Sequence, residues 1–257
     1  MSSLTDSHLL TVFGFSAKDV FVGGAEGVIL HYDGAQWKKM DAGGRWTVKN
    51  LWGSAPDNMY AVCADGKILH YDGKAWKAED TENFPPMSGI WGLAPDEIYV
   101  CTRLGKIARF DGRAWKFMKT ETTTDIARLW GCREGTMYGV GFDGLILRLD
   151  RATETWKRLT FGSSSELYGI YGFSPTEIYI AGSYGAIYKF DGEQLTELPT
   201  RTGNFFLDIW GPSPEFVFAV GDEGMIMLKD GDQWTPIESN TKEYLAGIWG
   251  SSESDMF

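Results

Sequence analysis

Apolar and polar positions alternate along this chain in short runs, and the runs come in groups of four. In the second group, Val48 to Trp52 reads as a strand, Ser54 to Asp57 as a loop and Asn58 to Cys63 as a second strand. A Gly turn at Gly66 leads into a third strand centred on Ile68. Asp72-Gly73 closes that strand, and a fourth opens at Trp76. The same order recurs. An aromatic–Gly pair ends the first strand of each unit at Phe13-Gly14, Trp52-Gly53, Trp91-Gly92, Trp130-Gly131, Tyr171-Gly172, Trp210-Gly211 and Trp249-Gly250, at spacings of 39, 39, 39, 41, 39 and 39 residues. An aliphatic residue precedes each pair (Val12, Leu51, Ile90, Leu129, Ile170, Ile209, Ile248), and a second aromatic follows eight residues after the first. The one irregular spacing lies in the fourth unit, where Asp150 to Trp156 is two residues longer than its counterparts. An insertion at a hairpin tip explains it.

Four short strands per unit, repeated, predict an all-β fold: a β-propeller of four-stranded antiparallel blades in one domain over residues 1–257. The expected repeats are 8–41, 47–80, 86–119, 125–160, 166–199, 205–239 and a partial seventh at 244–257. Six repeats are complete. The expectation is a ring of seven inner strands, with six-bladed closure as the alternative. An unfilled last blade exposes strand edges and invites self-association there. The aromatics Trp52, Trp91, Trp130, Tyr171, Trp210 and Trp249 are expected in the structural core between blades.

Composition narrows the class. The chain has 11 Trp, 11 Tyr, 15 Phe and 32 Gly in 257 residues, too aromatic for a disordered polymer and without the glycine period of collagen. A formal charge of -11 repels phosphate and anionic lipid, so neither nucleic acid nor membrane is the expected partner. Three cysteines (Cys63, Cys101, Cys132) without CxxC spacing argue against a disulfide framework. Met1 to Ser7 lacks a basic leader pattern, and the expected location is cytoplasmic.

The second-unit run LWGSAPDNMYAVCADGKILHYDGKAWK resembles the propeller repeats grouped as YCF48-like or BNR-like in bacteria. That resemblance covers nearly the whole chain and implies the propeller fold. It also implies a set of roles including assembly factors, carbohydrate-active proteins and binding scaffolds. The run His31-Tyr32-Asp33-Gly34-Ala35-Gln36-Trp37 departs from the sialidase Asp-box, S-x-D-x-G-x-T-W. It has no leading Ser, Gly directly after Asp, and one residue fewer between Asp and Trp. The Trp-Asp dipeptide typical of WD40 blades is missing as well.

Chemical motifs are few. Gly139-Val140-Gly141-Phe142-Asp143-Gly144 matches G-x-G-x-x-G, but the repeat places it on a strand and hairpin with no helix to meet a pyrophosphate. His31 and His70 share a column that continues as Arg109, Arg148, Lys189 and Leu228, a pattern of solvated strand positions rather than metal ligands. Asp33 and its equivalents at 72, 111, 150, 191 and 230 read as turn aspartates that cap backbone N–H groups. No catalytic constellation, metal set or cofactor motif emerges, so the expected function is non-catalytic.

Recognition is therefore expected on the loops that vary between units: those joining each fourth strand to the next first strand, together with the Gly-turn tips on the same face. Aromatics and cations outside the core columns single out Arg45, Trp46, Phe84, Arg103, Phe142, Tyr184, Phe205 and Tyr244 as binding candidates. These loops do not repeat, as a lectin with one site per blade would require. The expectation is a protein partner on one asymmetric face, with a carbohydrate-binding propeller or glycan-acting enzyme as the alternative.

Overall fold

The computed structural model describes residues 4–79, 81, 84–231 and 233–257. Residues 80, 82 and 83 of the variable connection from Glu79 to Met87, and residues 1–3 of the N-terminal segment, lie outside them. Six antiparallel four-strand blades follow one another around an axis. Blade one is Leu9–Ser16, Asp19–Gly24, Val28–Tyr32 and Trp37–Asp41, and blade two is Val48–Ala55, Asn58–Cys63, Ile68–Tyr71 and Trp76–Ala78. Blades three to six begin at Met87–Ala94, Ile126–Gly131, Leu167–Ser174 and Phe206–Ser213. A two-stranded seventh segment, Gly250–Ser252 and Asp255–Met256, sits between the first strands of blades six and one. The ring thus has six complete blades and seven inner segments.

The register explains the eight-residue spacing of the aromatics. Trp52 lies directly across from Tyr60, Trp91 from Tyr99, Trp130 from Tyr138 and Tyr171 from Tyr179, so each unit carries a cross-strand aromatic pair. Tyr60 then packs edge-on against Trp115 of blade three and Tyr99 against Trp156 of blade four, with ring centroids 6.3 and 6.0 Å apart. In these two seams the second-strand aromatic of one blade meets the fourth-strand Trp of the next, whereas Tyr138 of blade four meets Phe190 of blade five, whose fourth strand opens with Leu195. Phe257 of the seventh segment reaches Trp37 of blade one in the same way, at 6.1 Å, and carries the seam across the closure.

The glycine of the aromatic–Gly pair exists for its neighbour. A Cβ on Gly92 would lie 2.3 Å from the indole of Trp52, and one on Gly14 would lie 2.5 Å from that of Trp249. Only a residue without a side chain lets the preceding blade's ring settle there. The packing alternates in a way the repeat alone does not predict. Trp52, Trp130 and Trp210 are buried and lie on the glycine of the next blade. Trp91 and Tyr171 are only half-buried, and a residue two positions further on takes the inter-blade place in blades one, three and five: Phe15 against Gly53, Leu93 against Gly131, Phe173 against Gly211. Trp91 instead donates its Nε1–H to the Gly131 carbonyl at 2.9 Å. Trp249 too is half-buried.

Other expectations are adjusted. The first strands run past the aromatic–Gly pair, as in Val48–Ala55, so the loop read from Ser54 shortens to a turn at Pro56-Asp57. Blade four gains a fifth strand, Lys119–Thr120, laid parallel on Thr155–Leu159 by the preceding connection, which pairs part of an otherwise open edge. The His column is not simply solvated. His31 stacks on Phe21 with centroids 4.1 Å apart and its Nε2 meets Asp19 Oδ1 at 2.6 Å, while His70 stacks on Tyr60 and bonds Asn58 at 2.7 Å. The turn aspartates do cap backbone: Asp33 Oδ1 accepts from Ala35 and Gln36 N–H, and Asp72 and Asp111 repeat the contact. Among the described residues no helix is long and apolar enough to cross a membrane.

Candidate functional site

At the axis, neighbouring blades bring their first strands together without pairing them into one sheet, so their edge groups need other partners. The residue before each aliphatic supplies some of them. In chain order that column reads Thr11, Asn50, Gly89, Arg128, Gly169, Asp208 and Gly247. Asn50 Oδ1 accepts the Ile90 N–H at 3.0 Å, and its Nδ2 donates to Thr11 Oγ1 at 3.2 Å. Asp208 Oδ2 accepts the Ile248 N–H at 3.1 Å, the corresponding bond one blade before closure, and Oδ1 accepts the Ile209 N–H at 3.0 Å. Arg128 Nη1 donates to the Ser88 carbonyl at 2.9 Å. The positions held by glycine bring strands close: a Cβ on Gly169 would sit 3.0 Å from the Asp208 Cα.

One step outward, the channel opens into a mouth of about 810 Å3, within the ~300–1,000 Å3 range of ligand pockets. Lys49, Arg103 and Arg128 line one part of its wall, and Leu9, Leu207, Phe142, Tyr168 and Tyr244 contribute apolar and aromatic surface. Burial pushes the Lys49 ammonium below its ordinary pKa, and the nearby Arg128 and Arg103 charges push it the same way. Arg103 has partial relief from Asp125 at 3.8 Å. Phe142 meets Tyr168 edge-on at 6.0 Å, and burial together with Glu166 raises the Tyr168 hydroxyl to about 12. With Asp125 and Glu243 also on the wall, three cations face two carboxylates, and an acidic chain thus carries a small excess of positive charge at one opening.

Of the residues chosen from sequence, the mouth unites Arg103, Phe142 and Tyr244. The others lie elsewhere. Arg45 pairs with Glu26 at 2.8 Å, and Trp46 packs half-buried beside it against the core between blades one and two. Phe84 rests on Phe117 at 4.6 Å near the outer strand of blade three, and Tyr184 lies edge-on to Phe205 at the tips of blades five and six. Among the described residues Tyr184 and Tyr244 are the most exposed of the large apolar side chains, at 76% and 71%. Tyr184 also shares a strained feature with Leu104. Both sit at Gly-turn tips with φ of 56° and 62°, a left-handed backbone costing such residues roughly 1–2 kcal/mol. Sequence reasoning missed Lys49, Arg128, Tyr168 and Asp208. Their signal was a charged or bulky residue in an inner-strand column held elsewhere by small or neutral ones.

A second opening on the opposite side, about 960 Å3 between blades four and five, is lined by four carboxylates, Glu134, Asp150, Asp191 and Glu193, and three cations, Arg148, Arg151 and Lys157. There Arg151 is tied to Glu97 at 2.8 Å and to the Gly135 carbonyl, and Asp150 is held by Lys157.

With fold and site in view, the molecule belongs among β-propellers. No protein-family model matches the chain, and no curated protein matches it in sequence. Solved structures do. YCF48 from Cyanidioschyzon merolae superimposes with a TM-score of 0.79 at 18% identity, covering 100% of this chain and 93% of that one. A YCF48 bound to D1 peptide gives 0.73 at 19% identity, covering 92% and 82%. The RRP9 WD40 repeats give 0.77 at 10% identity, covering 98% and 87%. At these identities the likeness establishes the fold.

Proposed function

We propose that this chain is a non-catalytic propeller that binds a protein segment across the channel mouth. The observation that carries the reading is the unrepeated set of three cations, Lys49, Arg103 and Arg128, beside exposed aromatic surface at Tyr244 on an otherwise acidic molecule. Large side chains with a polar tip serve as interface anchors, and a charged rim steers encounter. One structural neighbour, YCF48, has been captured with a peptide, which makes peptide binding by this fold a concrete precedent. The non-catalytic reading is supported by the repeated turn aspartates, whose carboxylates are engaged by backbone N–H groups and lysines. A lectin reading with one site per blade draws no such support, since Lys49, Arg128 and Tyr168 each occur once in their inner-strand columns.

The test uses site-specific photo-crosslinkers at Tyr244 and, on the opposite side, at Glu193. The expected result is a protein adduct formed in cells from Tyr244, lost in Lys49→Glu, weakened by salt, and not formed from Glu193. Equal capture from both positions, or capture unaffected by Lys49→Glu, overturns the proposal.

A further inference from the structure

Below the mouth the axis holds a smaller chamber of about 190 Å3, walled by the aliphatic–aromatic pairs of the inner segments together with Asn50, Arg128 and Asp208. Arg128 lines both spaces. Among the described residues Arg128 and Asp208 are the only charged groups on the chamber wall, and they form no ion pair with each other. Each spends its hydrogen bonds on backbone: the guanidinium on the Ser88 and Ala127 carbonyls, the carboxylate on the Ile209 and Ile248 N–H groups. Those bonds fix the two heads and leave both charges uncancelled. Burial raises the Asp208 carboxyl above its ordinary value, and Arg128 opposes that shift, so the two sense each other across the chamber. A structural bridge between inner strands does not need this charge. Asn50 makes the corresponding bond to Ile90 with a neutral amide.

We propose that the chamber binds a small zwitterion, an aliphatic α-amino acid whose carboxylate meets Arg128 and whose ammonium meets Asp208. Opposite charges held apart on an apolar wall complement a molecule carrying both charges and a short hydrocarbon chain. A space of about 190 Å3, below the ~300 Å3 where drug-sized sites begin, suits a ligand of few atoms. The inference shares Arg128 with the protein-binding reading but rests on the chamber and on Asp208, which the mouth lining does not include, so Asp208→Asn tests it separately from Lys49→Glu.

Calorimetric titration of the purified chain with leucine, isovalerate and isopentylamine tests it. Leucine is expected to bind about tenfold or more tighter than either single-charge analogue, because each lacks one charged hydrogen-bonding group. Asp208→Asn is expected to weaken leucine binding by about tenfold or more while the variant stays folded, since the amide oxygen can still accept the Ile248 N–H although the Ile209 N–H loses its acceptor. Arg128→Gln should reduce leucine and isovalerate binding together. The proposal fails if leucine gives no heat or binds no better than the analogues. It also fails if a folded Asp208→Asn variant binds leucine as the parent does.

Discussion

The seams between blades and the mouth of the channel are built from the same repeats, yet they obey opposite rules. Along a seam, equivalent positions carry equivalent side chains. Ile29, Ile68, Ile107, Ile146 and Ile187 are all fully buried, and the second-strand aromatics meet the next blade's aromatics in one geometry after another. At the mouth the equivalent column runs Leu10, Lys49, Ser88, Ala127, Tyr168, Leu207 and Ala246, so five different residue types fill seven places and Lys49 and Tyr168 each occur once. Repetition is what close packing between identical modules requires, because every blade must fit the same wedge. Divergence costs packing little where side chains face open space, and it is the only way a pseudo-symmetric ring acquires one distinguishable site.

The sharpest way to break this contrast is to truncate one residue of each kind. Trp156 is fully buried between blades three and four, and Trp156→Ala should cost about 3–5 kcal/mol through lost burial and the cavity left behind. Tyr184→Ala, at an exposed tip, should move stability by no more than about 0.5 kcal/mol. Urea denaturation of both variants decides it. A Tyr184→Ala loss approaching that of Trp156→Ala would mean that the loop face is structural.

The contrast also explains how much could be read from sequence. Strand order, hairpin turns, the inserted tip after Asp150 and the seam columns were all legible, because each leaves a periodic mark. The alternation between blades was visible too, as a large residue after the glycine at Phe15, Leu93 and Phe173 against Ser54, Cys132 and Pro212, but a search for sameness passes over it. The mouth was only partly legible. Arg103, Phe142 and Tyr244 stood out as loop residues, whereas Lys49, Arg128 and Asp208 sit inside strands, where a charge reads as an ordinary solvated position. Which strand positions face the axis is set by how seven segments converge, and that information lives in no single repeat.

A smaller effect separates two glycines on the loop face, Gly185 in the turn of blade five and Gly203 in the loop that joins blades five and six. Gly185 has φ of 76°, and a Cβ there would lie 2.0 Å from the Thr202 carbonyl oxygen. Gly185→Ala should therefore cost at least ~1–2 kcal/mol from the left-handed backbone, with the clash added. A Cβ on Gly203 would meet nothing within 4 Å, and the backbone there is not left-handed. Gly203→Ala should be neutral or stabilise by up to about 1 kcal/mol, by restricting the unfolded chain. Thermal melts of the pair check the order. If Gly203→Ala were the more damaging, the close approach of the tip and the connecting loop would not be what holds this face.

The smallest expected effect lies in the exposed turns, where the repeat is electrostatic rather than apolar. Asp111 accepts a hydrogen bond from Lys116 Nζ at 2.6 Å and two more from the Ala114 and Arg113 N–H groups, and these contacts, Lys116 foremost, hold its carboxyl well below the ordinary 3.8. A carboxylate whose pKa is depressed by folding adds stability at pH values above the ordinary value, and that contribution drains away as the pH falls through the folded one. Asp111→Asn keeps an oxygen for the two N–H groups and loses the ion pair. The variant should therefore be slightly less stable than the parent at pH 7, with the gap closing as the solution is acidified below about pH 4. Because the pair is open to solvent, the gap should also shrink at high salt. Denaturation curves for both proteins across that range read the difference directly. A gap that persisted unchanged into acid, or in concentrated salt, would show that the turn is held by its backbone hydrogen bonds and shape alone. The turns would then follow the geometric rule of the seams, leaving charge to act only around the axis.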